Sequence, residues 1–448
     1  MPLSASIRVF LLIWLGQFIS QFGSGLTAFA LGPWVYLRTG SATLVSLVWL
    51  ASALPDLLLS PLAGALVDRW NRRLALLISD LGAALGTLVL AVLAVSGTLQ
   101  VWQVLLACIW VSAFVALQWP AYSAVIPLLV SREQLGRASG MVQTAGSIAS
   151  LAAPAVAGLL IATVQLGGIL FVDFATFVVS LLTLIVVRVP DVLQDRSETG
   201  AQPSVWQDLA GSWRYIRERR GLLLLLFYFA SVNVFVGFAQ VLLVPLVLSF
   251  TSTAALGTMM SLGGAAMVLA SLFLSTSGGF EHRVRAVLGL TVALGFAVVL
   301  CGSRPNPILV GAGVILALFV TPLLEGTSQV IWHAKTAPEM MGRVFALRKL
   351  AALFPRPIAY LAAGPLADRI FEPKMRGGSG LSDLLSPWLG RGPGRGTALL
   401  YVCAGALIVV VALVGALSPR LRNLEKEVPD AAPTAAEETG QDSGRKTD

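Results

Sequence analysis

The sequence predicts an all-α membrane protein with twelve transmembrane helices in two halves of six, and three observations support this fold class. Of the 448 residues, 56% are apolar and only 12% are charged, with a mean hydropathy of +0.82, whereas soluble domains carry about 25% charged residues. Twelve apolar segments are each long enough to cross a hydrocarbon core of ~30 Å. One longer polar stretch separates the first six segments from the last six.

The twelve apolar segments follow one another with short polar connections. In the first half they cover residues 8–31, 44–67, 74–96, 100–126, 138–163 and 168–188. In the second half they cover residues 221–248, 255–276, 284–302, 306–331, 344–367 and 396–417. We expect the first segment to stay in the protein as a span, because no small-residue cleavage site of a signal peptide follows it.

The polar stretches divide the chain into four predicted regions. These are an N-terminal six-helix bundle at 1–188, a cytoplasmic linker at 189–220, a C-terminal six-helix bundle at 221–417 and a disordered cytoplasmic tail at 418–448. The linker places Trp206, Leu209, Trp213 and Ile216 on one helical face, which predicts an interfacial helix; an ordinary linker is the alternative. The Gly-rich stretch at 368–395 is expected to be an external cap or a flexible link.

The basic residues predict the orientation in the membrane. Most of the 31 Lys and Arg residues fall in loops that are cytoplasmic when the N-terminus is inside. We therefore expect a multi-pass protein of the cell inner (plasma) membrane with both termini in the cytoplasm. Because this topology accounts for the net charge of +8, nucleic acid is not expected as a partner.

Residues for metal, nucleotide or covalent chemistry are sparse. Cys108, Cys301 and Cys403 lie in three different apolar segments, and His282 and His333 are far apart. We therefore expect no disulfide, no metal site and no cofactor. The absence of a Gly-x-x-x-x-Gly-Lys-Ser/Thr motif argues against ATP as the energy source. No nucleophile, base and orienting group stand at a readable spacing, so an enzyme is not predicted.

The strongest local signal is the loop after the second segment, Gly64-Ala-Leu-Val-Asp68-Arg69-Trp-Asn-Arg72-Arg73. This pattern resembles the signature loop between spans two and three of the major facilitator superfamily. The resemblance implies an inner gate built from Gly64, Asp68, Arg69, Arg72 and Arg73, with the arginines pairing to acidic groups across it. A plain positive anchor on the cytoplasmic side is the alternative.

A weak repeat relates the two halves and places a partner for Asp68. The stretches Arg132-Glu133-Gln-Leu-Gly136-Arg137 and Pro338-Glu339-Met-Met-Gly342-Arg343 precede spans five and eleven, and the same offset pairs Gly158 with Gly364. Asp68 would face the helix start near Gly342 and Arg343, where the helix dipole favours a negative charge. The superfamily resemblance implies the major facilitator fold, two six-helix bundles with the substrate near the midplane.

Two stretches in the second half are related to the gate loop, one by sequence and one by topology. Gly364-Pro-Leu-Ala-Asp368-Arg369 looks like a second copy of the motif, but the topology places it on the outer face. By topology, the counterpart of the first loop is the degenerate stretch at 278–285, between spans eight and nine.

Span five carries small residues and a proline, at Gly140, Gly146, Pro154 and Gly158. Small residues let helices approach closely, and proline bends a helix. The set resembles in part the antiporter motif of drug exporters, and generic close packing is the equally weighted alternative.

Charged residues inside apolar segments are costly and functional by default, and four of them are candidates: Asp56, Asp173, Glu325 and Arg356. A carboxylate that moves between apolar surroundings and an arginine can bind and release a proton. We expect Glu325 or Asp56 to couple transport to protons, with Arg356 as the counter-charge; a permanent ion pair is the alternative. For Asp173 a structural role is favoured over proton coupling.

Further stretches resemble the drug:H⁺ antiporter branch that contains macrolide efflux proteins and enterobactin-type siderophore exporters, among them 171–177, 328–332 and 342–345. This resemblance implies export of a bulky amphipathic small molecule in exchange for protons. The expected partners are the lipid bilayer, that molecule and protons, and the expected state is a monomer. An importer or facilitator on the same fold, and a non-transporting sensor or scaffold, are the alternatives.

Overall fold

The computed structural model describes residues 5–67, 70–131, 134–187, 205–376 and 380–427. Among these residues, twelve helices are long and apolar enough to cross a membrane, which confirms the predicted fold class. The first six are α1 (Ala5–Thr39), α2 (Ala42–Val67), α3 (Arg72–Val95), α4 (Val101–Leu129), α5 (Leu135–Thr163) and α6 (Gln165–Val186). The amphipathic α7 (Val205–Glu218) precedes α8 (Arg220–Leu248), α9 (Thr253–Ser277), α10 (Arg283–Ser303) and α11 (Pro307–Lys335).

The eleventh span is broken into several pieces. It begins as α12 (Met341–Leu353) and resumes as α13 (Pro355–Pro365), because Pro355 has no amide proton to continue the hydrogen-bond ladder. A π-helical turn at Leu366–Phe371 and α14 (Glu372–Arg376) complete it. After α15 (Gly380–Leu389), the twelfth span is α16 (Arg395–Leu417).

Each half of the protein packs as a bundle. In the first half α1 lies against α5 and α6, α3 against α4 and α6, and α2 against α4. In the second half α10 lies against α11 and α16, α9 against α11, and α8 against α13 and α16. The largest contacts between the halves are made by α5 with α9 and by α2 with α13.

The apolar cores show where the two halves meet. We call the face that carries the start of α1 and the end of α16 the predicted cytoplasmic face, and the opposite one the predicted outer face. Toward the outer face, one cluster contains residues of both halves, including Val35, Val45, Val247, Met259 and Tyr360. Toward the cytoplasmic face the two halves have separate clusters, one with Phe10, Leu76 and Leu129 and the other with Leu222, Val284 and Trp332. The halves are therefore joined through their outer ends.

The amphipathic helix α7 is docked on the second half. Ile216 is buried against that half, whereas Trp213 is exposed. The Ala337 amide donates to the Tyr215 hydroxyl over 3.0 Å, and the Arg219 guanidinium stacks 3.6 Å from the centre of the Tyr215 ring. One side of α7 thus binds protein at the predicted cytoplasmic face.

Two polar stretches are more ordered than their composition predicts. The segment expected to be a cap or flexible link is helical at Leu366–Arg376 and Gly380–Leu389, because the Glu372 carboxylate accepts hydrogen bonds from the Gly394 and Gly396 amides at 2.7 and 2.8 Å. The tail predicted to be disordered from residue 418 contains helices at Pro419–Arg422 and Leu424–Glu427, which bury Leu421 and Leu424. Residues 428–448 lie outside the described ranges.

Candidate functional site

A cavity of about 240 Å³ lies in the second half, between α8, α11 and the broken eleventh span. Its lining combines apolar side chains with an acid and two bases. The polar lining residues are Asn233, Thr321, Glu325, Gln329, Arg348 and Arg356. Two of the predicted coupling residues, Glu325 and Arg356, therefore share one cavity.

Arg356 sits at the break of the eleventh span. Pro355 and Pro357 flank it, and α13 starts at Pro355. Its Nη2 donates to Asn233 Oδ1 over 3.4 Å, while its Nε is buried without a hydrogen-bond partner among the described residues. A buried donor atom without a partner favours an acceptor on a bound molecule.

The cavity contains a second arginine, Arg348, that sequence reasoning did not select. Glu325 on α11 attracts the guanidinium of Arg348 on α12. Arg348 Nη2 donates to Ser328 Oγ over 3.2 Å, and its guanidinium lies 5.7 Å from the Trp332 ring centre. Arg348 lies within the apolar segment 344–367, as Arg356 does, and this was the available signal.

The other two predicted carboxylates lie in the first half and do not join this cavity. Asp56 is exposed on α2, where it accepts a hydrogen bond of 3.1 Å from Ser60 Oγ one turn later. Asp173 on α6 is buried and accepts a hydrogen bond of 3.3 Å from Ser24 Oγ on α1. The four predicted residues are thus divided between the two bundles.

Sequence reasoning missed a buried carboxylate in span three. Asp80 is 0% exposed. It accepts hydrogen bonds from Gln118 Nε2 at 2.7 Å, Gln17 Nε2 at 2.9 Å and Ser180 Oγ at 2.7 Å. The signal was present, because Asp80 lies within the apolar segment 74–96 and meets the same criterion that selected Asp56.

Part of the predicted inner gate falls outside the described residues, namely Asp68 and Arg69. Gly64 lies in α2 near its end. Arg72 Nη1 donates to the Ala124 carbonyl over 3.1 Å. Arg73 donates from Nε to the Leu184 carbonyl at 3.0 Å and from Nη2 to the Ile185 carbonyl at 2.8 Å. Among the described residues, both arginines therefore bind backbone carbonyls of their own half.

The span-five residues differ in what they contact. A β-carbon at Gly158 would lie 2.9 Å from Gly257 Cα on α9, so the two backbones touch between the halves. Pro154 contributes its carbonyl to the same contact, 3.1 Å from a β-carbon at Gly257. A β-carbon at Gly146 would be 3.5 Å from Gln21 Oε1, and one at Gly140 would meet nothing within 4 Å.

The residues predicted on span eleven lie at its two ends. Gly342 and Arg343 are in the first turn of α12 at the predicted cytoplasmic face. Gly364 and Asp368 lie at the outer end, where both contact the start of α2. The second pair meets the other half closely, through the start of α2.

The sequence matches the profile described as Major Facilitator Superfamily over residues 13–360. The chain belongs to the major facilitator superfamily. Members of this superfamily with the same fold are transporters, so the chain is a transporter and not an enzyme.

Relatives of this superfamily member include efflux proteins. It is 28% identical to macrolide efflux protein A of Streptococcus pyogenes over 422 residues, which covers 93% of this chain and 97% of the relative. It is 30% identical to macrolide efflux protein A of Enterococcus faecalis, covering 69% and 96%. It is 27% identical to the multidrug efflux pump Tap of Mycolicibacterium fortuitum, covering 80% and 89%.

Solved structures of transporters share the fold of this superfamily member. A bacterial homologue of the human lysosomal transporter Spinster, in an inward-facing and unoccupied conformation, superimposes with a TM-score of 0.67 at 12% identity, covering 95% of this chain and 97% of that one. A bacterial homologue of the iron transporter ferroportin, inward-facing, gives a TM-score of 0.65 at 15% identity, covering 92% and 99%. At these identities the likeness concerns the fold alone.

Proposed function

We propose that this chain is a proton-coupled secondary active exporter of a bulky amphipathic small molecule, such as a macrolide-like drug or a siderophore. The observation that carries this proposal is the second-half cavity, whose lining combines Glu325, Arg348 and Arg356 with apolar side chains. Transport would proceed by alternating access, as the two bundles rock about the substrate.

The cavity suits one end of an amphipathic molecule. Leu225, Phe229 and Trp332 supply apolar surface, and Arg356 supplies a donor without a partner. Its volume of about 240 Å³ is below the ~300–1,000 Å³ of typical ligand pockets. A bulky substrate would therefore extend from this cavity toward the first half.

A carboxylate beside arginines also offers a means of coupling. Ionised Glu325 attracts Arg348, and a proton on Glu325 would remove that attraction and free the arginines for the substrate. Glu325 is our first choice for the proton site and Asp56 the second, with Arg356 and Arg348 as counter-charges. The energy source would be the proton gradient of the inner membrane and not ATP. The protein would work as a monomer and without a cofactor. Both of its termini would lie in the cytoplasm.

The relatives support an efflux role. Two macrolide efflux proteins and a multidrug efflux pump match most of this chain. Since the cavity lies in the second half, substitutions of its lining residues are expected to change which substrates are exported. A role in antibiotic resistance follows if a macrolide is the substrate.

The test uses inside-out membrane vesicles with an acidic interior, followed by quenching of an acridine dye. Macrolides, cationic dyes and siderophores are added in turn. We expect at least one compound to dissipate the gradient in wild-type vesicles and to fail in Glu325→Gln and Asp68→Asn vesicles. Asp383→Asn, an exposed aspartate on the outer segment, is the matched control and should behave as wild type.

Other outcomes would overturn the proposal. Uptake that ignores a protonophore would indicate a facilitator, and accumulation driven in the opposite direction would indicate an importer. Silence over the whole panel, with normal membrane abundance, would reject the stated substrate class and favour a sensor or scaffold.

A further inference from the structure

The outer end of span eleven carries the same pattern as the inner end of span two. Gly364-Pro-Leu-Ala-Asp368-Arg369 repeats the arrangement of Gly64-Ala-Leu-Val-Asp68-Arg69. Because spans two and eleven run in opposite directions, the two copies lie on opposite faces of the membrane. The structure shows what the second copy contacts.

The Asp368 carboxylate caps the start of α2 from the other half of the protein. Ser41 Oγ and the Thr43 amide donate to Asp368 Oδ2 over 2.7 and 2.8 Å. The Ala42 amide donates to Oδ1 over 3.1 Å. The first amides of a helix have no partner within the helix, and the dipole makes this end positive. A negative side chain from span eleven therefore satisfies the first turn of span two.

The absence of a side chain at Gly364 allows the Asp368 carboxylate to reach the start of α2. A β-carbon at Gly364 would overlap the Thr43 backbone, and it would lie 2.8 Å from the Ala42 carbonyl oxygen. The two helices thus touch backbone to backbone, one turn before Asp368. Any larger residue at position 364 would push α13 away from α2.

The segment that carries Asp368 is anchored within its own half. Glu372, the next turn after Asp368, accepts hydrogen bonds from the Gly394 and Gly396 amides at the start of α16. It also accepts one from Arg376 Nε at 3.0 Å. Asp368 therefore moves together with the second half, and its contact with α2 is made or broken as the halves rotate.

We propose that Gly364 and Asp368 form an outer gate that holds the state seen here, in which the halves meet at the predicted outer face. The gate is the mirror counterpart of the inner gate predicted at Gly64 and Asp68. In this state Asp368 caps the start of span two. In the opposite state that contact is broken.

This gate depends on the proposed function only in requiring two states, so it is tested by conformation without any substrate or proton gradient. The full chain is reconstituted in lipid after Cys108, Cys301 and Cys403 are replaced by alanine. Spin labels are then placed on exposed positions of the two halves. One pair, at Thr98 and Ala254, reports the outer face, and the other, at Ser131 and Ser277, reports the cytoplasmic face.

Removing the cap should shift the two distances in opposite directions. In Asp368→Ala we expect the outer pair to lengthen and the cytoplasmic pair to shorten, with a change on the order of tenfold or more in the ratio of the two states, since hydrogen bonds to a charged group are the strong ones. Asp368→Asn should shift less, because an amide oxygen still accepts from part of the cap. Asp383→Asn, on the same face, should leave both distances unchanged.

Gly364→Ala provides a second route to the same result, because it separates the helices and leaves the Asp368 side chain intact. Unchanged distances in both Asp368→Ala and Gly364→Ala would overturn the gate. If thermal stability falls in these variants while both distances stay as in the wild type, Asp368 is a permanent helix cap. Export that fails in vesicles while the distances shift as expected would reject the proposed function and leave the gate standing.

Discussion

The Gln118 side-chain amide, on α4, donates a hydrogen bond of 2.7 Å to the carboxylate of Asp80, on α3. Gln17 on α1 and Ser180 on α6 donate to the same carboxylate. All three partners are uncharged, and Asp80 is fully buried. A buried carboxylate needs its hydrogen bonds to offset the loss of water. This network therefore fixes four helices of the first half around one acidic group.

Replacing Asp80 by alanine should destabilise the first half. Each donor left buried without a partner costs about 1–3 kcal/mol, so we expect a clear loss of thermal stability in detergent. Asp56→Ala is the matched control, because Asp56 is exposed and its bond to Ser60 stays within α2. Equal unfolding temperatures for the two variants would show that the network contributes nothing to stability.

Neutralising Glu325 should separate substrate binding from proton coupling. Glu325→Gln keeps the size of the side chain but removes the charge that attracts Arg348. We expect loss of export driven by a pH gradient, with exchange of labelled for unlabelled substrate retained. The measurement compares both activities in the same vesicles. Wild-type dependence on the gradient in Glu325→Gln would pass the coupling role to Asp56, which Asp56→Asn tests in the same assay.

Enlarging Gly158 should force α5 away from α9. In Gly158→Val the new β-carbon would stand 2.9 Å from Gly257 Cα, and overpacking of this kind costs about 1–3 kcal/mol. We expect slower transport and lower thermal stability. Gly140→Val, on the same helix, is the control, because a β-carbon there meets nothing within 4 Å. Equal activity in the two valine variants would show that the close approach is dispensable.

Substitutions of Arg73 distinguish a structural role of its guanidinium from a role as a positive charge that only sets the membrane topology. Its guanidinium binds the Leu184 and Ile185 carbonyls in the last turn of α6. A positive charge at this end of a helix also interacts favourably with the helix dipole. We expect Arg73→Ala to lower stability by about 1–2 kcal/mol. Arg73→Lys should recover only part of it, because an ammonium lacks the planar fork of the guanidinium. Full recovery by lysine would instead support a plain positive anchor.

Sequence reasoning found the fold and about half of the candidate site. The apolar segments predicted twelve spans because each must be apolar along its own length to lie in lipid, and that property is written locally. Glu325 and Arg356 were found for the same reason, since a charge stands out in an apolar segment. Arg348 was missed because it lies near the end of a span, where a basic residue also reads as a cytoplasmic anchor.

The contacts between helices were not readable in the same way. Nothing local distinguishes Gln17, Gln118 and Ser180 from other polar residues, and only packing brings them to Asp80. Likewise, the composition of the outer Gly-rich segment predicts flexibility, because its order comes from Glu372 binding the Gly394 and Gly396 amides, 22 and 24 residues further along the chain.

The twelve membrane spans and their charged residues at costly positions follow from the sequence alone, because the free-energy cost of moving a segment out of water depends on that segment alone. The tertiary structure decided which of those charges meet. It placed Glu325 in one cavity with Arg348 and Arg356, left Asp56 apart, and set Asp368 on the start of α2. These pairings depend on how two bundles pack against each other, and the energy of that packing belongs to pairs of distant residues and not to any one segment.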